Sequence, residues 1–155
     1  MGQSVSNLIA RNMLGILDSQ GVVVSTIMAQ CGISRHVLDK NGGRLSAQQH
    51  FRFLQFTGHY QEIIIKSILE KNIQQGLTTF NYSNFPEFVG SYLNQETGLK
   101  LLQVYQQYRK IVGDCDEILI TRNDTHTRIE YVIEGPRAGN FSAVGNFIMM
   151  FDALR

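Results

Sequence analysis

The feature that most constrains this chain is a helix pattern running almost without interruption into two strand patterns. Residues 99–112 (LKLLQVYQQYRKIV) place Leu101, Leu102, Tyr105, Tyr108 and Val112 at helical spacing, and Gly113 follows as a stop. Residues 117–122 (EILITR) and 127–134 (TRIEYVIE) then cluster β-formers around Asn123-Asp124-Thr125-His126, a turn composition.

The N-terminal half reads as helical. Val5, Leu8, Ile9, Met13, Ile16 and Leu17 recur every three or four residues, predicting one amphipathic helix ended by Gly21. Ser25 is placed to cap a shorter helix through Cys31, with Gly32 as its stop, and Ser34 opens a further short turn broken by Asn41-Gly42-Gly43. Ser46 and Gln49 have capping-box spacing and start a helix carrying Phe51, Leu54 and Thr57 or Gly58 inward. Another helix spans 62–73, with Ile64, Ile65, Ile68 and Leu69 inward and Gly76 at its end. Residues 77–84 favour a short strand, 85–92 a helix with Pro86 in its first turn, and 141–154 a last helical face. The expected class is α+β: a helical N-terminal half, then a helix–β-hairpin–helix segment forming part of a small antiparallel sheet. The 155 residues are read as one domain, and the helical pattern still running at Arg155 suggests a piece of something longer.

Charge and composition exclude several functions. The net charge is +1, so the chain as a whole carries no electrostatic footprint for nucleic acid or an anionic membrane. Arg35, Lys40, Arg44 and Arg52 form a local basic excess, read as a solvated face. The two cysteines, Cys31 and Cys115, lie far apart and form no metal-ligand spacing, which fits a reducing cytoplasm. No apolar run is long enough to span a bilayer. The opening Met1-Gly2-Gln3-Ser4-Val5-Ser6 fits the N-myristoylation template, but that template is short and permissive, and the plain reading is a lead into the first helix.

No catalytic constellation is visible. His36, His50, His59 and His126 include no pair at i, i+4, and neither HExxH nor Gly-x-Ser-x-Gly occurs. Residues 25–40 superficially resemble a helix-turn-helix, but Ala29 precedes Gly32 by three positions rather than four and the second helix is cut short. Asp114, Asp116 and Glu117 read as a solvated acidic loop at a helix end. The strongest candidate site is Tyr105, Tyr108 and Arg109, which share one helical side: tyrosine hydroxyls need partners and arginine offers a rigid fork for carboxylates. His59 and Tyr60 are secondary candidates. The expectation is a ligand-binding, non-enzymatic chain with no metal and no cofactor.

The order of elements and the local wording resemble the N-terminal effector-binding, arabinose-binding-like domain of AraC/XylS-type transcription regulators. The stretches that carry this are Ser19-Gln20-Gly21, residues 29–33 (AQCGI), Arg44-Leu45-Ser46, Thr57-Gly58-His59, residues 63–71, and 99–111 with Tyr105-x-x-Tyr108-Arg109, followed by the 118–133 hairpin. The resemblance implies a bacterial cytoplasmic protein that senses a small-molecule effector and forms a homodimer. It also implies that DNA is contacted through a C-terminal helix-turn-helix unit not present in this sequence. It carries over neither an effector nor a residue-level binding motif. The alternative expectation, from a different class, is a haem- or lipid-binding sensor with His59 as the ligand.

Overall fold

In the computed structural model, residues 2–74 and 94–133 are described. They form an α+β arrangement of helices with two small antiparallel sheets, as the sequence patterns predict. The segments 77–84, 85–92 and 141–154, the stop at Gly76, and the side chains of Ile68 and Leu69 lie outside what is described.

The chain opens differently from its periodicity. Val5 belongs to a strand, β1 (Ser4–Ser6), which pairs antiparallel with β2 (Arg44–Ser46) in the register Ser4↔Ser46, Val5↔Leu45 and Ser6↔Arg44. Helix α1 (Asn7–Ser19) starts only after Ser6, whose hydroxyl accepts from the Leu8 N–H. Val5 is as buried as a helical residue would be, so burial spacing alone could not separate the two conformations. What separates them is pairing with residues some forty positions away.

Helix α2 (Val24–Cys31) ends where Gly32 turns left-handed, at φ 65°. Its start lacks the side-chain cap expected from Ser25; Val23 occupies the cap position. The five-residue α3 (Arg35–Asp39) is capped by Ser34, and its carbonyl end is held by α1. The fully buried Asn7 donates through Nδ2 to the carbonyls of Val37, Leu38 and Lys40 at 2.9, 2.9 and 2.8 Å. Arg11 adds donations to the carbonyls of Leu38 and Lys40. Helix α4 (Ala47–Thr57) begins with the expected capping box, both Ser46 and Gln49 side chains engaged. A 3-10 turn (Gly58–Tyr60) leads into α5 (Gln61–Gln74).

These elements enclose one apolar core, with Leu17, Leu45, Phe53 and Ile64 all at 0% exposure. Burial of this size is the main stabilising term for the helical half, at roughly 25 cal/mol per Å² of apolar surface. The second unit is α6 (Gly98–Val112), capped by Thr97, with the hairpin β3 (Asp116–Arg122) and β4 (Thr127–Ile133). The register sets Ile118 opposite Tyr131 and Ile120 opposite Ile129. These four residues pack on Leu101, Leu102 and Tyr105 of α6, giving a separate small core. In the turn, the Asn123 side chain accepts from the Thr125 and His126 N–H groups, both at 2.9 Å.

Strand β1 joins the two units. Its Val5 packs with Phe51 and Leu54 of α4 and with Cys115, and forms an antiparallel bridge to Gly113. Arg44 reinforces the junction, donating to the Ser4 hydroxyl at 2.8 Å and to the Ile111 carbonyl at 3.2 Å. This member of the basic excess therefore holds backbone rather than facing water alone.

Candidate functional site

The end of α6 and the start of β3 meet β1 over a small cavity of about 260 Å³. Gln106, Arg109 and Lys110 from α6 line one side, and Asp114, Asp116 and Glu117 line another. Gln3 closes it from the N-terminal strand side, while Cys115, Ile118 and Val132 supply apolar surface. The cavity forms because Gly113 interrupts the helix and the chain reverses into a strand within three residues, which leaves the helix end and strand start splayed.

At its wall lies a buried ion pair. Arg109 Nη2 reaches both carboxylate oxygens of Asp116 at 2.5 Å, with the two side chains 11% and 7% exposed. Tyr131 also donates its hydroxyl to Asp116. Burial by itself disfavours the Arg109 charge, but Asp116 beside it, helped by Tyr105 and Tyr131, more than reverses this and holds the guanidinium above its ordinary value. Arg109 Nε is buried and has no hydrogen-bond partner. The structure thus corrects the reading of Asp116 as part of a solvated acidic loop: Asp114 and Glu117 are exposed, and Asp116 is an interior counter-ion.

His50, on α4, is 4% exposed and its Nδ1 has no partner. Burial lowers its pKa to about 4; Asp116 opposes that fall and Arg109 adds to it. The imidazole is therefore neutral at pH 7. Burial, together with Asp114 and Asp116, pushes the Cys115 thiol up to about 11, so it is a thiol and not a thiolate at neutral pH.

Of the five candidate binding residues read from the sequence, Arg109 alone lines this cavity. Tyr105 is 1% exposed inside the α6–hairpin core, and Tyr108 packs against the same core from a half-buried position. His59 is exposed on the 3-10 turn, and Tyr60 is half-buried against the helical core. The five residues therefore do not converge on one cavity: the tyrosines of α6 use their rings for packing. Sequence reasoning read Asp116 as solvated and gave His50 no role. Both left a signal. Asp116 shares strand parity with Ile118 and Ile120, which points it inward, and His50 falls at helical spacing with Leu54 and Thr57.

Among the described residues no group of three or more His, Cys, Asp or Glu side chains is placed to hold a metal, and no helix is long and apolar enough to cross a membrane. Comparisons with protein-family models, with curated proteins and with solved structures return no match.

Proposed function

We propose that this chain is an effector-sensing and dimerisation module of an AraC/XylS-type transcription regulator, working in the bacterial cytoplasm. DNA would be contacted by a separate C-terminal unit outside this sequence. The observation that carries the reading is the position of the cavity. It sits where α6 ends and β3 begins, lined by Gln3 next to the N-terminal strand and by Gly113, to which that strand bridges through Val5. A ligand there can favour one arrangement of those pieces over another. Only such differential affinity shifts a population between states.

A thermal-shift screen across amino acids, sugars and fatty acids tests this, since a ligand that binds only the folded state raises the melting temperature as it saturates. The expected result is stabilisation by one chemical class, with sedimentation velocity showing a changed monomer–dimer balance in its presence. A screen in which no class shifts the melting temperature removes the sensing role. A stabilising compound that leaves sedimentation unchanged removes the link to dimerisation.

A further inference from the structure

We propose that the cavity takes a small zwitterion, an α-amino acid, with its carboxylate toward Lys110 and Arg109 and its ammonium toward Glu117 and Asp114. This rests on the sensing role and names the chemical class that the same site would accept.

The first argument is charge left over after internal pairing. Asp116 is committed to Arg109 and Tyr131, and Asp114 accepts from the Ser4 N–H at 2.5 Å through one oxygen. Lys110 and Glu117 line the same cavity, yet among the described residues neither enters an ion pair. A cation and an anion are thus presented to one volume without being spent on each other.

The second argument is size: about 260 Å³ lies at the small end of ligand pockets, which suits a compact molecule.

Competing chemistries fit less well. A neutral sugar would leave both Lys110 and Glu117 without a counter-charge. A fatty acid could place its carboxylate by Lys110, but its chain would then lie against Asp114 and Glu117 and strip them of water, which is costly for charged groups. An amino acid meets both signs, and Ile118 and Val132 leave apolar surface for a short side chain.

The test is isothermal titration calorimetry of the full chain with each of the twenty proteinogenic L-amino acids. Any binder is repeated as its N-acetyl derivative and as its carboxamide. At least one free amino acid is expected to bind, and blocking either end weakens it by about tenfold or more, the loss of one charge-assisted contact. Lys110→Ala and Glu117→Ala alter exposed side chains, so both variants should keep the parent circular dichroism spectrum while each losing about tenfold in affinity. Binding indifferent to both end-blocks, or to both substitutions, overturns the proposal. If a sugar or fatty acid stabilises the protein and no amino acid binds, the zwitterion is wrong and the sensing role stands. If nothing from any class binds, both fall.

Discussion

The helical half and the α6–hairpin unit bury polar groups in opposite ways. In the helical half the amide of Asn7, helped by Arg11, serves the carbonyls at the end of α3, and the buried Thr57 hydroxyl serves the Phe53 carbonyl within α4. No carboxylate takes part. In the α6–hairpin unit a full ion pair, Arg109 with Asp116, is sealed against Tyr131, and a neutral histidine from α4 lies within its electrostatic reach. The Asn7 amide ties α1 to the backbone at the end of α3 and is itself not titratable. A buried ion pair is different: either partner alone is an uncompensated charge. The cavity adjoins the second kind of interior, where adding a charged molecule can change the balance.

The most direct way to break that contrast is Asp116→Ala. It strands the Arg109 charge in the interior and should cost about 3–5 kcal/mol in urea unfolding. Arg11→Ala, which removes donors in the helical half while Asn7 still serves the same carbonyls, should cost roughly 1–2 kcal/mol. The double substitution Arg109→Met with Asp116→Val should recover most of the Asp116→Ala loss, because no lone charge remains. Equal losses for Asp116→Ala and Arg11→Ala would mean that the two interiors tolerate lost polar contacts alike.

The same contrast explains what the sequence made legible. Local signals carried the helical half: Ser46 with Gln49 announces the start of α4, Gly32 the end of α2, and the spacing of Met13 with Leu17 the inner side of α1. The hairpin was legible too, because Asn123 to His126 is turn chemistry between two runs of β-formers. Strand β1 was not, since Val5 owes its conformation to Leu45 and Gly113, residues remote in sequence. The site was only partly legible for a similar reason. Helical spacing brings Tyr105, Tyr108 and Arg109 together, but whether a tyrosine faces a cavity or a core depends on where the hairpin folds back, and Ile118, Ile120 and Ile129 cover them. The same closure turns Asp116 from an acidic loop residue into a buried partner.

A smaller effect should come from His50, and it sharpens the comparison because the helical half supplies this residue while the ion pair sets its surroundings. Its folded pKa is about 4, against 6.5 for a solvated imidazole, so between those values the unfolded chain binds the proton and the folded chain does not. Its contribution is therefore whole above pH 6.5 and is lost as the pH falls toward 4, about 3 kcal/mol in all. Carboxylates titrate over part of the same range, so the useful measurement is the difference between the wild type and His50→Leu. Melting temperatures of the two from pH 7 to pH 4 should converge or cross as the acid limit is approached, with the wild type falling more steeply. Parallel curves would show that the imidazole keeps its ordinary proton affinity in the folded protein.

Two glycines, one in each kind of setting, extend the comparison to packing. A Cβ at Gly43 would lie 2.5 Å from the Val37 carbonyl oxygen and 2.6 Å from Asn7 Nδ2, against backbone and against the amide that already holds it. A Cβ at Gly113 would meet Val5 Cγ2 at 2.9 Å, a side chain on a three-residue strand. Gly43→Ala should therefore cost about 2–3 kcal/mol and Gly113→Ala about 1 kcal/mol, the usual span for overpacking. Neither cost comes from backbone strain at Gly113, whose φ of −169° is open to any residue. The double variant Val5→Ala with Gly113→Ala tests the mechanism, because trimming Val5 removes the methyl groups that crowd the new Cβ. Its loss should be smaller than the sum of the two single losses. Strict additivity would mean that the crowding at the β1–α6 junction is relieved by movement of the strand, and that this junction is the softer of the two.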